Sequence, residues 1–187
     1  NPTINHQGYN YSTVQIGEQC WFSENCRYLP EVSPFSAFST TDPYYYVYDY
    51  QGTDVAAAQA TDNYYTYGVL YNWPAVMTEG ICPSGWHIPS DAEFIQLTDF
   101  LGDEAGYKMR DDVQWNGSNS SGWSGLPGGS CSSDGFYGLL GWSDWWSSSE
   151  YISSLFMSRA RQLNGASFVI EYVDYWEKGH SARCVRD

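Results

Sequence analysis

The sequence predicts a single α+β domain spanning residues 1–187, with short twisted β-sheets, one or two helices and long ordered loops. Three observations support this fold class. The chain contains one strong helix signal, it shows strand-like alternation near both ends, and no internal repeat or linker divides it. A chain of 187 residues is also long enough to bury a sizeable core.

Strand signals lie near the two ends of the chain. Ser12–Gly17 and Gln19–Phe22 predict a short hairpin. Alternating side chains over 168–173 predict a strand that begins at Phe168, and alternation over 181–186 predicts a closing strand.

The helix signal begins at Ser90 and ends at Gly102. Ser90 with Glu93 three residues later forms a capping box, and Gly102 is suited to end the helix. Apolar side chains recur at helical spacing at Phe94, Leu97 and Leu101, and Phe100 is predicted to widen this apolar face. A second, shorter helix is predicted at about 72–77, after the strand-like segment Tyr64–Tyr71.

Two long segments show no clear periodicity. Gly102–Glu150 is dense in Gly, Ser and Trp, and Ser33–Asp62 contains a run of tyrosines. Segments of this length in one domain are expected to be well-packed functional loops.

Charge and aromatic content exclude several classes of protein. The chain has 8 basic and 22 acidic residues, a net charge of −14, and 18% of its residues are aromatic. This charge argues against nucleic acids and anionic lipid surfaces as partners. The apolar content argues against disorder, and no apolar run approaches the ~20 residues that span a membrane. The aromatic residues exceed what one core needs, so many rings are expected at the surface.

Five cysteines favour an oxidising compartment. The close pair Cys20 and Cys26 and the distant pair Cys82 and Cys184 favour two disulfides, with Cys131 left over, although five cysteines allow other pairings. The three histidines are scattered and no Cys-x-x-Cys motif occurs, so no zinc-type site is predicted. The expected location is extracellular or at the cell surface.

Three Asn-x-Ser sequons are candidate glycosylation sites, at Asn10, Asn116 and Asn119. Such short motifs also arise by chance, so they matter only in a host that glycosylates.

Six separated segments keep the order of motifs in a known family. They are Val14–Asn25 (VQIGEQCWFSEN), Tyr67–Trp73 (YGVLYNW), Cys82–Phe94 (CPSGWHIPSDAEF), Ser121–Gly129 (SGWSGLPGG), Trp145–Glu150 (WWSSSE) and Arg183–Asp187 (RCVRD). On these motifs the chain resembles the Fibrobacter succinogenes major paralogous domain, and the match covers essentially the whole chain.

This resemblance implies a C-type-lectin-like architecture, shared with formylglycine-generating enzymes, in secreted bacterial surface proteins that have no settled activity. Cys20 and Cys26 depart from the family pattern in a way that fits an added local disulfide, and Cys131 is not implied by the family. Formylglycine-generating activity is not carried over. That enzyme needs its own copper-binding cysteine pair, whereas the cysteines here occupy structural positions.

Carboxylates in the segment Gly102–Glu150 raise the question of bound calcium, because this hard cation needs several oxygen ligands. The candidate ligands are Asp111, Asp112, Asp134 and Asp144. However, the chain has no EF-hand run and no Glu-Pro-Asn or Trp-Asn-Asp triplet of calcium-dependent lectins. No cofactor is therefore assigned, and calcium is the alternative to solvated carboxylates.

No set of residues points to catalysis. Cys131 has no His–Asp arrangement near it in the sequence that would activate its thiol, so a buried thiol or an intermolecular bridge is expected. His87 is flanked by Trp86 and Ile88 and is predicted to be a hydrogen-bonded core histidine. The sequence therefore predicts a protein that is not an enzyme.

Aromatic residues are the best functional clue. Trp123, Trp145 and Trp146 belong to the family motifs and are expected to pack the fold. The rings expected on an exposed binding face are Trp115, Trp142, Tyr44, Tyr45, Tyr46 and Tyr48. Rigid rings beside small polar side chains are typical of recognition surfaces.

The predicted function is a non-enzymatic extracellular recognition or adhesion module that binds a glycan or a surface polypeptide. Its candidate ligand-binding residues, besides the four tyrosines, are Trp115, Asn116, Asn119, Trp142 and Asp144. The alternative is a structural subunit of an extracellular filament or surface layer, which self-associates through a Tyr/Trp-rich face. Neither nucleic-acid binding nor membrane insertion is expected.

Overall fold

The computed structural model describes residues 2–167 and 169–187. The strands of these residues form two curled five-stranded sheets and one two-stranded sheet. The helices are short, so the architecture is α+β with β-structure predominant. Among the described helices, none has the length and apolar character needed to cross a bilayer.

The strands and helices alternate irregularly along the chain. The strands are β1 (Thr3–His6), β2 (Tyr9–Ile16), β3 (Gln19–Phe22), β4 (Tyr45–Tyr46), β5 (Leu70–Tyr71), β6 (Trp86–His87), β7 (Gly128–Ser132), β8 (Gly135–Leu139), β9 (Ser143–Glu150), β10 (Met157–Leu163), β11 (Ile170–Tyr175) and β12 (Val185–Arg186). The helices are α1 (Val55–Gln59), α2 (Asp62–Tyr67), α3 (Trp73–Val76), α4 (Asp91–Leu101) and α5 (Ala105–Met109), and a 3-10 turn at Gly102–Glu104 joins the last two.

The first sheet brings together the two ends of the described chain. Its order is β1-β2-β3-β12-β6, and every pair is antiparallel. The predicted hairpin is confirmed as β2 and β3, joined by a turn in which Gly17 has a φ of 59°. Val185 of β12 pairs with Trp21 on one side and His87 on the other. The closing strand is therefore confirmed, but it is shorter than predicted.

The second sheet has the order β11-β10-β9-β7-β8, in which β7 and β9 are parallel. The prediction that Gly102–Glu150 is a loop is wrong, because β7, β8 and β9 lie within it. Every residue of β7 is buried, so this strand lacks the alternation that marks a half-buried strand. The strand predicted over 168–173 is confirmed as β11, and Phe168 lies outside the described residues.

Helix α4 begins and ends as predicted. Ser90 Oγ accepts a hydrogen bond from the Glu93 N–H, and the Glu93 carboxylate accepts one from the Ser90 N–H at 2.7 Å. Gly102 follows with a φ of 73°. The buried face of the helix consists of Phe94, Leu97 and Leu101. Phe100, predicted to widen this face, is exposed.

The other predicted local elements are only partly confirmed. The second helix is confirmed as α3, but the predicted strand Tyr64–Tyr71 is wrong over its first half, which belongs to α2. Thr61 caps this helix by accepting a hydrogen bond from the Tyr64 N–H, and this local bond outweighs the strand propensity of the tyrosines. Ser33–Asp62, predicted as a loop, contains β4 and α1.

The motif tryptophans pack the interior, as predicted. Trp123, Trp145 and Trp146 are all fully buried. Asn25 holds this region together, because its Oδ1 accepts hydrogen bonds from Trp145 Nε1 at 2.9 Å and from Arg183 Nε at 3.0 Å. These bonds join residues far apart in the sequence and satisfy buried polar atoms.

One of the two predicted disulfides is present. Cys82 and Cys184 are bonded and tie the segment before α4 to the residue before β12. The predicted disulfide between Cys20 and Cys26 is wrong, since both are buried thiols. The reason is the direction of the Cys26 side chain, whose Sγ lies 3.6 Å from Cys184 Sγ. Cys131 is also a buried thiol.

Candidate functional site

The rings predicted to form an exposed face lie mostly inside the protein. Trp115 is 8% exposed and packs in the cluster that contains the buried face of α4, whereas Tyr45 and Tyr46 are 4% and 1% exposed. The predicted exposure is wrong for these three rings, because Trp115 completes the core and the two tyrosines form strand β4. The half-buried rings of the predicted set are Tyr44, Tyr48 and Trp142.

Two of the half-buried rings cover glycine backbone in the second sheet. The Trp142 indole lies directly against Gly138, and the Tyr48 ring lies against Gly129. A side chain at either glycine would collide with the ring. Much of the surface of each ring is therefore packed against the sheet backbone.

The two asparagines of the predicted site adopt left-handed backbone conformations, with φ values of 49° for Asn116 and 47° for Asn119. Asn119 Nδ2 donates to Ser124 Oγ at 3.0 Å, so its amide stabilises a turn. Asn116 is exposed, as is Asn10. Glycosylation stays a prediction, and the Asn119 amide already donates a hydrogen bond to Ser124.

The four carboxylates predicted as calcium ligands do not form a ligand set. Within the described ranges, no group of three or more His, Cys, Asp or Glu side chains could hold a metal ion. Asp111 instead accepts hydrogen bonds from two backbone N–H groups of the following turn, at 2.9 and 2.7 Å. Asp112 and Asp134 are exposed, whereas Asp144 is buried.

Asp144 belongs to a polar network inside the second sheet that sequence reasoning did not predict. Its carboxylate accepts hydrogen bonds from Ser130 Oγ and from Gln162 Nε2. Close by, fully buried His180 bonds to the Asp174 carboxylate through Nε2 at 3.1 Å. Burial acts to raise the pKa of Asp174, but the hydrogen bond to His180 outweighs it and lowers the pKa. The partners of Asp144 are internal, so it is not available to a ligand.

His87 is not a core histidine. Its side chain is 41% exposed, and its two ring nitrogens bond to Glu93 at 2.7 Å and to Asp187 at 2.6 Å. Burial acts to lower the pKa of His87, but the hydrogen bonds to the two carboxylates outweigh it and raise the pKa. The prediction failed because the flanking apolar residues point elsewhere while the imidazole reaches two surface carboxylates.

A cleft of about 350 Å³, with four tyrosines among its nine lining residues, is the candidate functional site. Its lining residues are Gln7, Tyr9, Tyr11, Arg27, Tyr28, Leu29, Pro30, Gln59 and Tyr64. Tyr11 and Arg27 are buried, whereas Gln7 and Gln59 are exposed. The cleft thus has a buried base and a polar rim, and its volume is in the range of small-ligand sites.

Arg27 supplies an unused hydrogen-bond donor in this cleft. Its Nη1 donates to Glu24 Oε2 at 2.8 Å and its Nη2 donates to the Tyr65 carbonyl at 2.9 Å. The Tyr9 ring covers the guanidinium, with its centre 4.5 Å from Cζ. Arg27 Nε is buried and has no hydrogen-bond partner in the described part of the chain. Arg27, which lines the cleft, therefore carries one buried N–H without an acceptor, and Glu24 balances the charge of its guanidinium.

Three phenols of the cleft, those of Tyr9, Tyr11 and Tyr64, have raised pKa values and are held by hydrogen bonds. Burial and the hydrogen bond to Glu24 raise the pKa of Tyr9 to about 12, and burial also raises the pKa of Tyr11 and of Tyr64. The backbone N–H of Arg27 donates to Tyr11 OH at 2.8 Å, and Tyr64 OH donates to the backbone carbonyl of Arg27 at 3.1 Å. These bonds fix the orientation of both rings.

Sequence reasoning missed this cleft. One signal was present, because Tyr9 and Tyr11 are two residues apart on a strand and therefore project to the same side. The other lining residues come from the turn between β1 and β2, from the segment after β3, and from α1 and α2. Their meeting could not be anticipated without the fold.

The family model of the Fibrobacter succinogenes major domain matches residues 14–186 of the chain. The match includes the cleft residues from Arg27 onward, while those on β2 and the preceding turn lie before it. No curated protein and no solved structure matches the chain.

Proposed function

The chain belongs to the Fibrobacter succinogenes major domain family, and from this premise we propose that it is a non-enzymatic extracellular recognition module that binds a neutral saccharide in the tyrosine-lined cleft. The observation that carries the proposal is the buried, unpartnered Nε–H of Arg27 in a cleft of oriented tyrosine rings. The disulfide between Cys82 and Cys184 supports an extracellular location.

The chemistry of the cleft favours a neutral ligand rich in hydroxyl groups. Glu24 balances the charge of Arg27 and the chain carries a net charge of −14, so an anion gains little here. A ligand hydroxyl oxygen can accept the Arg27 Nε–H once the Tyr9 ring that covers the guanidinium moves aside. The amides of Gln7 and Gln59 can both donate and accept hydrogen bonds. The tyrosine rings offer flat apolar surface for the C–H faces of a sugar ring.

The lining residues support binding rather than catalysis. The described residues of the cleft include no carboxylate, histidine, cysteine or serine side chain. Burial raises the pKa of Tyr11 and Tyr64, which moves these phenols further from the range useful for general acid–base chemistry near pH 7.

The finer architecture is part of the proposal. A C-type-lectin-like fold is supported by the pairing of β12 with β3 and by the disulfide between the segment before α4 and the end of the chain. An experimental structure superposed on C-type-lectin-like domains tests this assignment. A different strand order in the common core would overturn it.

Binding is tested first on an array of neutral saccharides and peptides, and then by calorimetry with the best saccharide. Gln59→Ala and Tyr28→Ala should each weaken binding about tenfold, the loss of roughly one hydrogen bond or ring contact. The matched controls are Gln51→Ala and Tyr65→Ala, since both residues are exposed and lie outside the cleft. Equal losses in the controls, or binding of peptides alone, would overturn the saccharide assignment.

A structural subunit of a filament is the second candidate, and one observation favours it. The turn between β9 and β10 exposes Ile152 at 97% and Leu155 at 81%, and exposed apolar side chains of this kind mark interfaces. The predicted Tyr/Trp-rich face is mostly buried, so this turn is the better contact surface. Sedimentation velocity of the native protein and of Ile152→Ser/Leu155→Ser tests it, because polymers should be lost only in the variant. A native protein that is monomeric at all concentrations contradicts this candidate.

A further inference from the structure

Three cysteine sulfurs lie together in the interior. Cys82 and Cys184 form the disulfide, and the Sγ of Cys26 lies 3.6 Å from the Sγ of Cys184. At this distance the two sulfur atoms are in direct contact, with no room for another atom between them. A free thiol is therefore placed next to a disulfide whose bond it could attack.

The two sulfurs of the disulfide have different surroundings. Cys184 is fully buried, as is Cys26 beside it. Cys82 is half-buried and lines a separate cleft of about 520 Å³, formed by the segment Val76–Ser84 with Trp86 and its neighbours. A sulfur displaced from Cys184 would thus face a solvent-accessible cleft.

We propose that the disulfide moves by thiol–disulfide exchange from Cys82–Cys184 to Cys26–Cys184, and that this makes Cys82 a modifiable thiol in its cleft. The Cys26 thiol loses its proton and the thiolate attacks Cys184 Sγ. The Cys26–Cys184 bond forms as the Cys82–Cys184 bond breaks, and the electron pair leaves with Cys82 Sγ, which takes up a proton. One thiol and one disulfide are present before and after, so the step needs no oxidant or reductant.

Chain entropy does not strongly favour either arrangement. The two disulfides join residues 102 and 158 positions apart. Loop-closure entropy depends only on the logarithm of the loop length, so the difference between these loops is small. The exchange also frees the segment Val76–Ser84 from its covalent tie to Cys184.

The rate of exchange should depend steeply on pH. Burial raises the pKa of the Cys26 thiol to about 12, while the nearby guanidinium groups of Arg183 and Arg27 act to lower it. The thiolate is the attacking species, and its fraction rises tenfold per pH unit below the pKa. Exchange is therefore slow at neutral pH and accelerates about tenfold per unit as the solution becomes alkaline.

Disulfide mapping of the folded protein tests the proposal. Trypsin separates the three cysteines into peptides 1–27, 28–108 and 184–186, and a Cys20→Ser variant leaves Cys26 as the cysteine of the first peptide. This variant is incubated at pH 7, 8 and 9, quenched with acid, treated with N-ethylmaleimide in denaturant and digested. We expect peptide 1–27 to become joined to 184–186 while Cys82 carries the maleimide, about tenfold faster per pH unit and independently of protein concentration.

Three further variants complete the test. Cys20→Ser/Cys26→Ser should keep Cys82 bonded to Cys184 and unlabelled, whereas Cys20→Ser/Cys131→Ser, which lacks another buried thiol, should exchange normally. Cys82→Ser oxidised with glutathione disulfide should form Cys26–Cys184 directly. An unchanged disulfide map at pH 9, exchange that survives the loss of Cys26, or failure of Cys82→Ser to form the new bond would each overturn the proposal.

Discussion

The guanidinium carbon of Arg183 lies 3.7 Å from the centre of the Trp123 ring, in the interior of the protein. Arg183 also donates hydrogen bonds to the carbonyls of Trp123 and Ser124 and to the Asn25 side chain. Burial lowers the pKa of Arg183, and no carboxylate of the described residues lies within salt-bridge distance of its guanidinium. An aromatic face and oxygen dipoles therefore hold this cation in place of an anion.

Replacing Arg183 should destabilise the protein strongly. Arg183→Lys should lower the free energy of unfolding by about 3 kcal/mol, because an ammonium group cannot reproduce the planar fork and leaves buried acceptors unpaired. Urea denaturation measures the change. Arg186→Lys is the matched control on the same segment, since Arg186 is exposed and should change stability by less than about 0.5 kcal/mol. Similar losses in both variants would contradict this role.

The contacts of His87 should make stability depend on pH. Its folded pKa is raised above the ordinary 6.5, so its contribution is fully present below that value and is lost as pH rises through the folded pKa. His87→Gln should therefore cost more stability at pH 5.5 than at pH 8.5. The difference should stay under about 1 kcal/mol, since the side chain is partly exposed. Urea denaturation at both pH values measures it, and identical losses at the two would count against the ion pairs.

The hydrogen bond between Asp174 and His180 should make the stability of the protein fall as the pH is lowered. The pKa of Asp174 is lowered from 3.8, so its stabilisation is present above that value and is lost as pH falls through the folded pKa. Asp174→Asn should cost about 2 kcal/mol at pH 7, and less at pH 3. Thermal unfolding across this range measures the effect. Exposed Asp134→Asn is the control, and a pH-independent penalty at Asp174 would argue against stabilisation by the ionised Asp174 carboxylate.

The capping box should account for part of the stability of α4. Ser90→Ala should lower the free energy of unfolding by about 1 kcal/mol, because the Glu93 N–H loses its acceptor. Chemical denaturation compares this variant with Ser84→Ala, which changes an exposed serine. If the two variants are equally stable, the cap contributes nothing measurable.

Local signals predicted the elements that depend on neighbouring residues. The capping box at Ser90 located α4, and alternation on either side of Gly17 located the β2–β3 hairpin. The same approach failed for β7, since a strand buried on both faces has no alternation to detect. It also failed for α2, where the cap at Thr61 outweighed the strand propensity of the tyrosines.

The candidate site was less accessible to prediction than the fold. Tyr9 and Tyr11 share a strand face, which a pattern can show, but Arg27 joins them only through the packing of a separate segment. Whether Arg27 Nε is left without a partner depends on where Glu24 and the Tyr65 carbonyl lie. Composition predicted recognition by exposed aromatic rings, but the rings of the predicted segments are mostly buried.

By itself the sequence determined the acidic character of the chain, the family to which it belongs, the hairpin and the principal helix, because each depends on composition or on residues close together. Only the tertiary structure decided which rings are buried and which cysteines meet. Cys20 and Cys26 are near neighbours in the sequence and form no disulfide, whereas Cys26 and Cys184 are 158 residues apart with sulfurs in contact at 3.6 Å. Contact between side chains depends on the directions in which the folded backbone holds them, and sequence distance does not encode those directions.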